Sequence, residues 1–367
     1  MHLIINALPL TEGGGPVGLR GYLLAWASLD LDLEITVLSG HPPVLEVARQ
    51  SGFEAVAVAP KGGAIGRLLW QKHRLAKVIR RHKADVLMTT NLCVPGSPVP
   101  QLVHHRNLWT LFSTRLGDYR RHGFKRWMQG IEARKALRRA EAGAFISDYM
   151  RQRAVDICPE NASRYHVVYN GLEEEVIADA EAGRSEWGGE PVICAVQAAS
   201  PHKDNPTLLR ALARLVEMAP EVNWRLEVAG PGDWSPHQQL AEQLGVAGRI
   251  EWKGRCERQE ILSMYRRSLC LWFTSVFEGY GMPTIEAMAE GCPAVCVNAT
   301  AIPEVVGQAA MVVEPQDAEA FARRTAALWH DPASREKWVR EGHAQARKYR
   351  WADSAVKMYD ILASLVR

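Results

Sequence analysis

The chain has 367 residues, 47% of them apolar and 23% charged, with a formal net charge of +3. That length exceeds one ordinary core and suits two domains, and the composition excludes both an extended disordered tract and a small stapled scaffold. The charge is uneven: residues 1–172 carry 23 Lys and Arg against 13 Asp and Glu (+10), the remainder 21 against 28 (−7), so the first half favours an anionic partner or surface.

The first element is HLIINAL. It is apolar but has no basic stretch before it and runs into Glu12 and three glycines, so it is expected to be a buried strand rather than a signal peptide. Gly13, Gly14 and Gly15 connect it to an amphipathic helix through LRGYLLAW. These glycines are not a clean G-x-G-x-x-G, and no acid is well placed about 20 residues on for a dinucleotide ribose. On local sequence a tight connection is as good a reading as a ligand loop. Asp30 and Asp32 form a D-x-D in SLDLDLEIT, a helix-to-strand connection where exposed acids are ordinary, and no metal site is expected there.

EITVLSG, EAVAVAP, ADVLMTT and QLVHH follow as short β-branched or apolar runs between amphipathic stretches. QLVHH ends in His104 and His105. Only one of two neighbours in an extended segment can face a given side. His104 is preferred as the one able to hydrogen-bond a sugar or an attacking hydroxyl, against the commoner arrangement of one packed and one solvated ring. Two basic segments flank this region, KHRLAKVIRRHK and RLGDYRRHGFKRWMQGIEARKALRRAE; the latter sets ten Lys, Arg and His among Phe124, Trp127, Met128 and Ile131. Such a segment is a solvated helix face or an interfacial helix on anionic lipid. No nucleic-acid motif accompanies it.

Asn170-Gly171 is a turn signal, and the polar, glycine-bearing stretch after it is expected to be a linker over 173–190. A second series follows in PVICAVQA, WRLEVAG, RIEWKG, LCLWFT, PAVCVN and AAMVVEP. The alternation predicts an α/β chain of two doubly wound domains with parallel sheets, over 1–172 and 191–345. A helix over 346–367 ends the chain, with Trp351, Ala355, Met358 and Leu362 on one face. The seven cysteines are scattered, odd in number and without a C-x-x-C pair, which fits a reducing cytoplasm better than a disulfide framework or a structural zinc site. No apolar run approaches the ~18 residues of a membrane span.

The chemistry concentrates in FEGYGMPTIEAMAEG, residues 277–291. A strand ends at Ser275; Glu278, Gly279 and Gly281 form a loop; Pro283 opens a helix and Gly291 closes it. A helix start beyond a strand's carboxyl end offers unpaired N–H groups to a phosphate. Glu286, in the first helical turn, can accept bonds from a vicinal diol such as a ribose. Taken by itself, the pair is equally a dipole-complementing Glu286 and a solvated Glu278.

The run E-G-Y-G-M-P-T-I-E resembles the E-x7-E signature of the retaining nucleotide-sugar glycosyltransferases of family 4, with Tyr280 in the usual Phe position. CPAVCVNATAIPEVVGQAAMVVEP and the terminal W-x-x-S-A helix extend the likeness. The resemblance implies a GT-B fold: two Rossmann-like domains facing a central cleft, with the last helix crossing back to the N-terminal domain. It implies that Glu286 binds the donor ribose and Glu278 sits against the transferred sugar, with Gly279, Gly281, Met282, Pro283 and Thr284 around the sugar and diphosphate. In SPHKDNP, Lys203 fits the lysine that neutralises the diphosphate, while Ala198 stands where many members carry Arg; His202 receives no assignment. Gly14 and Gly15 would reach the donor phosphate, and His104 the sugar or acceptor hydroxyl.

The implied activity is that of a hexosyltransferase moving sugar from a nucleoside diphosphate to a hydroxyl of a saccharide or lipid-linked glycan in surface polysaccharide synthesis. Neither a cofactor nor a divalent metal is expected beyond the NDP-sugar co-substrate, and nucleic acid is not a partner. The expected location is the cytoplasm, with peripheral contact on an anionic membrane. A sugar-nucleotide epimerase of the same architecture and a silent nucleotide-sugar-binding protein are the alternatives; a nicotinamide dehydrogenase ranks last.

Overall fold

The structure is a computed structural model describing residues 1–10, 14–112 and 118–366. The chain forms two compact units, Met1–Gly171 with Arg350–Arg367, and Leu172–Tyr349.

In the first unit the strands are β1 (His2–Asn6), β2 (Glu34–Ser39), β3 (Glu54–Ala57), β4 (Val86–Thr90), β5 (Gln101–His105), β6 (Ala142–Phe145) and β7 (Tyr165–Val167). They build one parallel sheet in the order β3-β2-β1-β4-β5-β6-β7. β1 lies at its centre, with Leu3 opposite both Ile35 and Val86 and every residue buried. That two-sided burial explains why β1 is a continuous apolar run rather than an alternating one. The sequence shows β1 to β5 but not β6 or β7: AGAF is poor in β-branched residues, and YHV is only three residues at the sheet edge.

The Gly14–Ser28 helix buries Leu19, Tyr22, Leu23 and Trp26, the i, i+3, i+4, i+7 spacing of a single face. Onto it packs the Trp351–Val366 helix, burying Trp351, Ala355, Met358 and Leu362 together with Ser354 and Ile361. The Trp351 ring occupies the space beside Gly21, where a Cβ would stand 2.1 Å from Cε2. Trp26 Nε1 donates to the Ala355 carbonyl at 3.0 Å. The last helix is therefore part of the first unit's core.

The second unit holds β8 (Val192–Val196), β9 (Arg225–Ala229), β10 (Ile250–Gly254), β11 (Cys270–Phe273), β12 (Ala294–Val297) and β13 (Met311–Val313), parallel in the order β10-β9-β8-β11-β12-β13. Leu208, Leu212, Trp224, Trp272 and Phe321 lie in its core, and Trp272 Nε1 finds a partner in Thr325 Oγ1 at 2.7 Å. All seven cysteines are free thiols.

The expected linker over 173–190 needs correction. Its first part is the Glu174–Glu181 helix, which buries Val176, Ile177 and Ala180 and belongs to the second unit. Three apolar residues on one face outweighed the polar composition around them. At the other end, Tyr349 stays with the second unit and the change falls at Arg350 rather than 346, one residue before the last helix begins.

Candidate active site

In the second sheet β8 and β11 are neighbours although they are not consecutive in sequence, and the chain leaves their carboxyl ends side by side. Such a switch point is where open α/β sheets hold ligands. Two loops meet there, residues 197–204 after β8 and residues 274–281 after β11.

Buried amides stitch them together. Gln197 Nε2 donates to Asn205 Oδ1 at 2.7 Å and to Thr274 Oγ1 at 3.0 Å, Asn205 Nδ2 donates to the Ala198 carbonyl at 3.1 Å, and Thr274 Oγ1 donates to the Lys203 carbonyl at 2.7 Å. Val276 N donates to the His202 carbonyl at 2.9 Å. With both loops fixed, Lys203 Nζ reaches Glu278 Oε1 at 2.5 Å, their side chains 16% and 17% exposed. Ser275 Oγ donates to the same carboxylate oxygen at 2.7 Å, and Glu278 N donates to Thr300 Oγ1 at 3.0 Å. Lys203 Nζ also stands 5.4 Å over the Phe273 ring. The result is a cation held beside a helix start.

That helix is Met282–Ala289. Gly281 precedes it at φ 95, ψ 46, a left-handed conformation that favours glycine, and a Cβ there would lie 2.4 Å from Ile302 Cδ1. Tyr280 is buried edge-on to Tyr349 at 6.0 Å between ring centres, so it anchors the loop while Glu278 and Gly279 remain partly exposed. Thr284 donates both its amide, at 3.0 Å, and its hydroxyl, at 2.8 Å, to the Gly281 carbonyl, and Pro283 has no amide hydrogen. Neither therefore offers a donor to a phosphate in this structure, which leaves the Gly281 and Met282 amides as the turn's candidates.

Glu286 lies further along the same helix and engages a different set of partners. Arg258 Nη1 is 3.1 Å from its Oε1, Tyr265 Oη donates to Oε2 at 3.5 Å, and Arg258 Nε binds Glu173 Oε2 at 3.0 Å. Burial raises the Glu286 carboxyl above its ordinary pKa, and the Arg258 guanidinium opposes that. Sequence reading found Glu286 but not Arg258, Glu173, Ser275 or Thr300. Ser275 and Thr300 sit beside recognised motifs; Arg258 and Glu173 come from other helix starts, and only the fold brings them near.

The first-unit candidates are His104, Gly14 and Gly15. His104 is buried edge-on to Tyr22 at 5.5 Å, its pKa driven well below the usual value by burial and then by Arg106 and His105. His105 stacks on Phe145 at 4.7 Å, and burial lowers its pKa to about 3. Both rings are packed, on opposite faces of β5 by strand alternation, so the commoner arrangement of one packed and one solvated ring does not hold here. Both rings are held neutral. The Gly14 carbonyl accepts from Arg106 Nη2 at 3.2 Å, and Gly15 packs against Leu10. Gly13 and residues 115–117 of the basic segment lie outside the described residues. Asp30 and Asp32 are exposed in the connection before β2.

Residues 179–345 match the family model for glycosyl transferases group 1, and residues 19–176 that for glycosyltransferase family 4. Among curated proteins, the chain is 32% identical over 153 residues to the O-antigen chain mannosyltransferase B of Escherichia coli, covering 41% of this chain and 40% of that one. It is 28% identical over 175 residues to the D-inositol 3-phosphate glycosyltransferase of Corynebacterium efficiens, covering 46% and 41%. These matches span less than half of either relative's length. Among solved structures, HepE of Anabaena in complex with UDP and glucose superposes with a TM-score of 0.76 over all of both chains at 18% identity, a likeness of fold.

Proposed function

Because the chain belongs to the glycosyltransferases, the group 1 model matching residues 179–345 and the family 4 model residues 19–176, we propose that it moves a sugar from a nucleoside diphosphate to an acceptor hydroxyl. The carrying observation is Lys203 fixed 2.5 Å from Glu278 beside the Gly281-led helix start, with Glu286 further along that helix. A diphosphate at that turn meets amide N–H groups, the positive end of the helix and an ammonium group. Preorganised donors of this kind stabilise the charge that builds on a departing diphosphate.

In this proposal the acceptor oxygen bonds to the anomeric carbon on the face the diphosphate leaves. The carbon–oxygen bond to phosphate breaks, and the acceptor proton passes to a phosphate oxygen, with retention of configuration. This front-face course needs no covalent nucleophile from the protein, and Glu278, with one oxygen taken by Lys203 and Ser275, is given none of that role. Its place is beside the sugar hydroxyls. HepE was solved with UDP and glucose, which supports a nucleotide-sugar donor here. The mannosyltransferase and inositol 3-phosphate glycosyltransferase relatives support a saccharide or phosphate-bearing acceptor, with a role in surface glycan synthesis. The +10 charge of the first half suits such an acceptor or an anionic membrane surface reached from the cytoplasm. Among the described residues no helix is long and apolar enough to cross a membrane.

Thermal shift against UDP, GDP, ADP and their sugars tests the reading. A ligand at 100 times its dissociation constant adds about 2.7 kcal/mol of stability. One nucleotide series is expected to raise the melting temperature, and Glu286→Ala to abolish the rise. An unchanged rise in that variant removes the ribose assignment.

A further inference from the structure

Two carboxylates from different helices converge on one guanidinium in the second unit. Glu173 immediately precedes the Glu174–Glu181 helix, Arg258 is the first residue of the Arg258–Arg267 helix, and Glu286 projects from the Met282–Ala289 helix. Arg258 uses two faces of its fork, Nη1 to Glu286 at 3.1 Å and Nε to Glu173 at 3.0 Å. Glu286 is only 13% exposed. Burial is the strongest influence on it and favours the protonated form; the Glu173 charge acts in the same direction, while Arg258 and the Tyr265 hydroxyl favour the carboxylate. Burial keeps Tyr265 itself protonated, so it stays a donor.

An ionised carboxylate has about four acceptor positions, two on each oxygen. Arg258 takes one on Oε1 and Tyr265 one on Oε2. One remains on each oxygen, which suits two neighbouring hydroxyls that both donate. A protonated carboxyl would lose that match, because one of its oxygens would become a donor.

We propose that Arg258 is a positioning residue of the donor site: it orients Glu286 and keeps it ionised as the acceptor for a vicinal diol, with Glu173 steadying the guanidinium from behind. This rests on Glu286 being the group that binds the ribose. Lysine in place of Arg258 keeps the charge but cannot serve both carboxylates with a planar fork.

The test is UDP and GDP binding by titration calorimetry across acid to mildly alkaline pH, using the full chain and the variants Arg258→Gln, Arg258→Lys, Glu173→Gln and Glu286→Gln. With Arg258→Gln, affinity at neutral pH is expected to fall about tenfold or more. It should recover as pH rises, because the acid limb of the binding profile moves upward. Arg258→Lys should bind more weakly than the wild type with its acid limb nearly in place. Glu173→Gln should move the limb the other way, extending binding to lower pH, which a clamp that merely joined helices would not do. Should Arg258→Gln fail to fold by circular dichroism, the Glu173→Gln limb decides, and an unmoved limb overturns the proposal. A wild-type profile in Arg258→Gln beside lost binding in Glu286→Gln also overturns it while leaving the ribose reading intact. Unchanged binding in Glu286→Gln, or no binding of either nucleotide to the wild type, sinks the ribose reading and this inference with it.

Discussion

At the residue scale, the site depends on a turn that one atom would spoil. Gly281 has φ 95, and its missing Cβ leaves the 2.4 Å that Ile302 Cδ1 would otherwise contest. Ile302 is fully buried at the start of its own helix and has little freedom to retreat. Gly281→Ala therefore combines left-handed strain with a core clash and is expected to cost about 1–3 kcal/mol. Urea denaturation would measure the loss, and nucleotide affinity should fall with it, since the Lys203–Glu278 pair hangs on the preceding loop. Equal midpoints for variant and wild type would show that the turn relaxes freely. Glu278 and Glu286 were singled out in the sequence because they flank a glycine turn at the spacing of the E-x7-E resemblance, and Lys203, 75 residues from Glu278, only because its segment resembles the family's lysine. Their partners were not: Thr300, which takes the Glu278 amide, and Arg258, which takes Glu286, are close only because parallel strands stack those loops together. The two histidines show the same limit, since alternation along β5 was readable but the cover over both faces was not.

At the scale of elements, a charged network fastens the far end of the same helix. Glu290 follows it and is fully buried; Arg266 Nε binds its Oε2 at 2.5 Å, and Arg266 Nη2 binds Asp179 at 2.7 Å on the Glu174–Glu181 helix. Burial outweighs the Arg266 pairing and lifts the Glu290 carboxyl from 4.5 to about 7. The sign follows from proton counting. Between those two values the folded chain binds a proton that the unfolded chain has released, so this group makes stability fall as pH rises through the window. A shift of that size corresponds to about 3 kcal/mol, fully present as a penalty above pH 7. Glu290→Gln keeps the shape and removes the titration. The difference between wild-type and variant unfolding free energies should slope across the window and be flat above it; parallel curves would contradict the assignment. This network also explains why the linker reading failed: Asp179 and the apolar Val176, Ile177 and Ala180 give an acidic, polar-looking stretch specific partners that composition does not show.

On the scale of the molecule, the chain leaves its first unit at Gly171 and returns to it at Arg350. The return was legible as an amphipathic helix, and its destination through the W-x-x-S-A resemblance, which implied a helix crossing back to the N-terminal domain. Trp351, Ala355, Met358, Ile361 and Leu362 are buried with Leu19, Tyr22, Leu23 and Trp26 in one core. Each large side chain so buried contributes about 1.5–3 kcal/mol, and a domain's whole stability is about 5–15 kcal/mol. Removing residues 350–367 would thus withdraw a sum comparable to everything that keeps the first unit folded, and would also leave Gly21 facing an empty slot. The second unit keeps its sheet and core, which lie within Leu172–Tyr349. Hydrogen exchange on the shortened chain should show β1, β4 and β5 exchanging fast while β8, β11 and β12 keep wild-type protection, and limited proteolysis should spare a fragment beginning near Leu172. Trp351→Ala, which empties the slot without shortening the chain, should lower the first unit's stability by about 3–5 kcal/mol. Retained protection of β1 in the shortened chain would mean that the first sheet closes its core without the returning helix.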